Sequence, residues 1–258
     1  MSIVMNEYKW AENAIAERKF SDKPYETLSR IARYYMYNGK SKNETRSLLE
    51  KFIMSCDSST PIVKWDERID SVMSYAEKRP LCVVDKITIS VPEINKIKAL
   101  DGIQLQRLAF TLLCISKFLR ISNPKNEHWV NTPDNEIMKM ANIGTSIKRQ
   151  SIMFSKLKEL EMIKFSAKID NLSVQVLFEE DGDPAVEITD FRNIGYQYMD
   201  YLFGGYFRCM NCGLTCKCNK QSDKKQIYCP DCAAKIHMRQ NIESVMRKRH
   251  ENKSVGIC

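Results

Sequence analysis

Six of the ten cysteines crowd between positions 209 and 232. Cys209-Met-Asn-Cys212 and Cys229-Pro-Asp-Cys232 form two C-x2-C pairs with sixteen residues between them. A C-x2-C turn lets two thiolates converge on one ion, and two such pairs at this separation complete the tetrahedral sulfur set of a zinc site. Gly213, directly after the first pair, gives the backbone the freedom a tight knuckle needs. Four thiolates leave no coordination position open, so zinc held by Cys209, Cys212, Cys229 and Cys232 is expected to be structural, without chemistry of its own. Such a site contributes folding energy on the order of 10 kcal/mol in small zinc peptides. Cys216 and Cys218 stand as alternatives to Cys212, and His237 is a further candidate ligand on a helix expected to run from Ala233.

The elements that position these ligands follow from the residues around them. Residues 219–225 read as a polar turn and Gln226-Ile-Tyr228 as a short strand leading into the second pair, a pattern that resembles a zinc ribbon. After it, Ile236, Ile242, Val245 and Met246 recur with helical spacing, while Lys235, Arg239, Arg247, Lys248, Arg249 and His250 form a basic face and tail. That tail reads either as a phosphate contact or as a solvated terminal helix.

Charge is unevenly spread. Forty Lys and Arg against thirty-two Asp and Glu give +8, and residues 204–258 alone carry +7 while residues 181–203 carry −4. A concentration of positive charge attracts phosphate backbones or other acidic surfaces. Apolar residues at 43% and only nine Gly and eight Pro exclude a collagen-like or low-complexity chain and predict a folded protein. The longest apolar stretch, Leu108 to Ser116, falls well short of the ~20 residues that cross a bilayer, so no membrane span is expected. Glu7, Lys9 and Glu12 interrupt the place where a secretory signal keeps its apolar centre, which predicts a cytoplasmic protein with reduced thiols.

The central segment is read from its periodicity. A wide apolar stripe from Gln104 to Ile121 predicts a well-buried helix. His128-Trp-Val130 is expected to be extended, and Thr132-Pro133 to cap and start a second helix over 133–141. After the turn at Asn142-Ile-Gly144, Thr145 or Ser146 caps a third helix to about Leu160, with Ile147, Ser151, Phe154, Leu157 and Leu160 expected on its inner face. Alternating runs Ile163–Ile169 and Ser173–Phe178 around Asp170-Asn171 predict a β-hairpin. Three helices followed by this hairpin resemble the winged-helix fold over residues 103–180. The resemblance implies that the third helix enters the DNA major groove, with Lys148, Arg149 and Gln150 reading bases and Ser146, Lys156 and Lys168 as further nucleic-acid contacts.

Residues 6–79 predict three or four helices, with Tyr25, Leu28, Ile31, Ala32 and Tyr35 on one apolar face and a capping box at Ser41 and Glu44. Leu28-Ser-Arg-Ile-Ala-Arg33, Asn38 to Glu50, Pro61 and Trp65 to Ala76 are similar to the small helical module found near primase domains of phage and plasmid replication proteins. A generic helical scaffold accounts for the same residues. Asp85–Ser90 reads as a strand, Val91 to Leu100 as a short helix, and Glu179-Glu-Asp-Gly-Asp-Pro184 as a solvated turn.

The chain is therefore expected to be mainly α with small β elements: a helical bundle over 1–84, a connector over 85–102, a winged helix over 103–180, a connector over 181–207, and a zinc ribbon with a basic tail over 208–258. It carries no phosphate-binding glycine loop, nucleophile elbow or H-E-x-x-H helix, and its three histidines, His128, His237 and His250, have no evident partners. The expectation is a non-enzymatic DNA-binding protein acting in replication or transcription of a bacterium or phage; the zinc-ribbon and winged-helix combination resembles accessory proteins of phages and mobile elements. Two alternatives stay open: a protein-interaction module such as a host-takeover or anti-defence factor, and a nuclease or primase-associated factor using Asp181 and Asp183.

Overall fold

Ser41 and Glu44 close the expected capping box, each side chain accepting from the other's backbone N–H, and so fix the start of a helix over Lys42–Cys56. This is α3, preceded by α1 (Glu7–Glu17) and α2 (Pro24–Tyr37) and followed, after a 3-10 turn over Ile62–Trp65, by α4 (Asp66–Lys78). The computed structural model describes residues 3–57, 59, 61–167, 173–219 and 226–255, with side chains in the last helix up to Arg247. The apolar faces of the four helices meet through fully buried Leu28, Ile31, Leu49, Ile53, Ile69 and Val72. Phe20 stacks on Trp65 at 5.4 Å between ring centres. Tyr25 is largely exposed instead of joining this core; its hydroxyl reaches Ser71 at 3.3 Å.

Three charges, Glu7, Arg30 and Arg33, are buried in and beside this bundle, and they partner one another. Glu7 receives Arg33 at 2.6 Å, Arg30 at 3.3 Å and the backbone N–H of Cys82 at 2.9 Å. A carboxylate out of water requires such partners, and here they tie α1 and α2 to the chain leaving α4.

A second, larger core is organised by α6 (Ile103–Ser122), which has eleven buried residues distributed around its circumference, as befits a helix enclosed on all sides. Ahead of it come β1 (Ile87–Ser90) and α5 (Val91–Lys98), the latter opened by a second capping box between Ser90 and Glu93. Strand β1 pairs antiparallel with β5 (Pro184–Ile188), Ile87 opposite Ile188. After α6 follow β2 (Trp129–Val130), α7 (Asp134–Met140), α8 (Ile147–Glu159), β3 (Ile163–Phe165) and β4 (Val174–Val176), and the three strands form an antiparallel sheet in the order β2-β4-β3. Helix α9 (Ile194–Phe203) lies along α6, with Tyr198 wholly buried, its ring 4.8 Å from Phe110 and its hydroxyl donating to Gln106 Oε1 at 3.0 Å. The stretches expected as connectors, 85–102 and 181–207, thus carry β1, α5, β5 and α9 and contribute Ile89, Ile94, Ile188 and Tyr198 to the same core as α6.

The last part of the chain is a hairpin of β6 (Tyr206–Arg208) and β7 (Thr215–Lys217), then α10 (Pro230–Val255). No helix among the described residues is long and apolar enough to cross a membrane.

Several local expectations are corrected. Helix α7 starts at Asp134 with Pro133 in the capping position, and Thr132 makes no cap. Gln226-Ile-Tyr228 is not a strand: Ile227 accepts one backbone bond from Met210, at 2.9 Å, and the ladder lies instead between β6 and β7. The inner face of α8 is formed by Met153, Phe154 and Leu157, whereas Ile147, Ser151 and Leu160 are exposed. The acidic turn is exposed at Asp181 and Asp183 but docked at its start. Glu180 donates its N–H to buried Glu93 at 3.0 Å and accepts from Ser90 Oγ at 2.8 Å. Glu93 in turn receives Lys117 at 2.8 Å. The Asp170-Asn171 turn lies outside the described residues, although Ser166 N–H donates to the Ser173 carbonyl at 3.0 Å just before it.

Candidate metal centre and nucleic-acid interface

Two different local structures present the four cysteines. In the first pair, Gly213 N–H donates to the Cys209 carbonyl at 2.8 Å and Cys209 N–H donates to Leu214 at 2.9 Å, closing a knuckle at the end of β6. Gly213 has φ +74°, the left-handed conformation that favours glycine. In the second pair, Cys229 immediately precedes α10 and Cys232 lies in its first turn.

The four Sγ atoms lie within 4.8 Å of one another. Cys212 Sγ and Cys229 Sγ are 3.7 Å apart. A tetrahedron with metal–sulfur bonds of about 2.3 Å has edges of about 3.8 Å, so the spacing suits one ion. Cys209, Cys229 and Cys232 are buried, and Asn211 Nδ2 donates to Cys232 Sγ at 3.2 Å, the kind of outer contact that orients a ligand. Burial pushes the Cys229 and Cys212 thiols up; at Cys209 burial acts the same way but is outweighed by backbone donors from Cys229, Cys212 and Asn211, which lower it. The Cys209 thiolate forms readily while Cys212 and Cys229 resist, a balance that a bound cation would tip toward thiolate. These four residues can therefore hold a metal ion. Cys216 and Cys218 lie outside the cluster, and His237 is exposed on α10 with Nδ1 3.2 Å from Asn241 Nδ2.

Two asparagines, Asn142 of the expected turn and Asn193, which the sequence does not single out, link this module to the turn before α8. Asn142 and Asn193 both have φ +55°, a conformation asparagine tolerates better than most residues. Asn142 Nδ2 donates to Asn193 Oδ1 at 2.9 Å, Tyr196 N–H donates to Asn142 Oδ1 at 3.1 Å, and Asn193 Nδ2 donates to the Thr215 carbonyl at 2.9 Å in β7. Gly195 permits this approach: a Cβ there would stand 2.0 Å from the Ala141 carbonyl oxygen. Arg192 adds a bond from Nη2 to the Cys212 carbonyl at 2.5 Å.

Helix α8 is held by its inner residues against α6 and β3. At 100° per residue, the side opposite Met153, Phe154 and Leu157 carries Lys148, Ile152, Ser155 and Glu159, flanked by Ser151 and Lys156. These six residues line a shallow groove open to solvent. Ser146, Lys148 and Arg149 are exposed, and Arg149 lies toward the flank of the outward face. Gln150 is turned back, its amide donating to the Thr145 carbonyl at 3.1 Å. Lys156 lies 3.5 Å from the exposed carboxylate of Asp101. Lys168 lies outside the described residues. Ser151, Ile152 and Ser155 were not anticipated on this surface; the signal was present in the phase of Phe154 and Leu157 once Ile147 is removed from the inner face.

His128 does have a partner. Its Nδ1 is 2.8 Å from Glu179 Oε2, and Arg120 closes on the other oxygen of the same carboxylate. No family model, curated protein or solved structure matches this chain.

Proposed function

We propose that the chain is a non-enzymatic protein that binds duplex DNA through the outward face of α8, in a winged-helix arrangement of α6, α7, α8 and the β3–β4 hairpin, with zinc on the four cysteines as a structural ion. The observation that carries the reading is the outward face of α8: exposed Lys148 with Ser151 and Ser155, flanked by Arg149 and by Lys156, which also faces Asp101, and fixed from behind by Met153, Phe154 and Leu157. A helix of this kind fits the major groove, where Lys and Arg reach guanine or phosphate and Ser reaches any base edge. The +7 charge of residues 204–258 favours the same partner. Replication or transcription in a bacterium or phage is the setting proposed for this binding.

Binding of the zinc-loaded protein to duplex and single-stranded DNA across a salt series tests it. Duplex affinity that falls linearly with salt on logarithmic axes, and is lost in Lys148→Glu/Arg149→Glu, supports the reading. No duplex binding at low salt overturns it.

A second reading, a protein-interaction module, is favoured by α10. Met238, Ile242, Val245 and Met246 are exposed at helical spacing on one side of it, an apolar stripe that joins none of the buried clusters of the described residues.

A further inference from the structure

Ile152 is 57% exposed at the centre of the outward face of α8, with Lys148 one turn before it and Lys156 one turn after. It belongs to no buried cluster and is not among the residues packed against one. Singly exposed apolar side chains are common on this protein; what sets Ile152 apart is its place, in the groove of the outward face between Lys148 and Lys156, where the other positions, Ser151, Ser155 and Glu159, are polar.

We propose that Ile152 reads the C5 methyl of thymine, so that the DNA site of this chain contains a thymine at the position facing the middle of α8. This rests on the reading of α8 as a major-groove helix. In the major groove each base pair presents its own pattern of donors and acceptors, and the apolar feature among them is the thymine methyl. Isoleucine has no donor or acceptor with which to read anything else. The positions around it narrow the choice further. Lys148 and Lys156 each lie about 6 Å from Ile152 along the helix axis, at about 1.5 Å per residue. That is close to two base-pair steps at about 3.4 Å each. The lysines then fall on phosphate oxygens or on a guanine near the thymine, and Ser151 and Ser155 accept or donate at the intervening edges. Ser151 Oγ already bonds the Ile147 carbonyl at 3.2 Å, which leaves Ser155 as the freer of the two hydroxyls.

The test uses the full-length, metal-loaded protein. A preferred duplex is first selected from a random pool, and each thymine in it is then replaced singly by uracil, which removes the methyl and leaves the Watson–Crick edge unchanged. One thymine is expected at which uracil weakens binding about fourfold, the transfer value of one buried methyl group. Ile152→Ser is expected to bind the thymine and uracil duplexes equally, because the methyl no longer has an apolar partner. The side chain is exposed, so the variant should keep the native circular dichroism spectrum; the uracil series on the unaltered protein stands even without it. Sequence-selective binding with no thymine sensitive to uracil would overturn the role of Ile152 and leave DNA binding standing, as would tight binding with no sequence preference. Absence of duplex binding would overturn the DNA-binding reading itself, and Ile152 with it.

Discussion

His128 and Glu179 meet across the central sheet, Nδ1 to Oε2 at 2.8 Å, although 51 residues separate them. The Glu179 side chain is only 8% exposed and also faces Arg120, so the carboxylate joins the end of α6, the approach to β2 and the exit from β4. Replacing Glu179 by Ala leaves both partners without their acceptor. Since Arg120 and His128 are partly solvated, the expected loss is about 1–2 kcal/mol, read as a lower denaturant midpoint at unchanged slope.

The second prediction concerns the metal. One equivalent of ion per chain is expected, lost in Cys209→Ser, Cys212→Ser, Cys229→Ser and Cys232→Ser and retained in Cys216→Ser and Cys218→Ser. Chelation should abolish amide-exchange protection over Thr215–Lys217 while leaving it intact in α6, because the cysteines are the buried residues of their own small cluster. Equal loss in both segments would contradict this.

Gly195→Ala should be costly for a steric reason alone. The added methyl meets the backbone at Ala141, which cannot swing aside as a flexible side chain would. A penalty of about 2–4 kcal/mol is expected from thermal or denaturant unfolding, against a fraction of that for Gly144→Ala, where a Cβ meets nothing within 4 Å.

Tyr198 supplies a pH dependence. Burial pushes its hydroxyl up to about 12 from the ordinary value of 10.0. The folded state therefore holds the phenolic proton after the unfolded chain has released it. The associated stability is complete below pH 10.0 and declines as pH rises through about 12. Tyr198→Phe forfeits the bond to Gln106 but should unfold with a shallower alkaline dependence than the native chain; parallel dependences would refute the assignment.

What the sequence reveals of this molecule is what short range determines. The cysteine spacing locates the ligands because each knuckle is built within a few residues, and Ser41 with Glu44 announces α3 because a capping box spans one turn. The buried circumference of α6 is likewise written in its own stripe. Pairings made at a distance leave no such trace. Ile87 finds Ile188, and Glu180 docks on Glu93, because tertiary structure brings them together; each partner alone looks like an ordinary edge or turn residue. The outward face of α8 is hidden in the sequence for a related reason. Ile147 and Leu160 look apolar enough for the core, yet the helix is oriented by Phe154 and Leu157, and its two ends extend past what they pack against.

Helix α10 has 26 residues and is thus about 39 Å long; of the four candidate metal ligands, Cys229 immediately precedes it and Cys232 lies in its first turn. Mechanically it is a cantilever clamped at one end. A small tilt at the sulfur cluster is multiplied along the beam, so the direction in which the far end points is set by the geometry of the clamp.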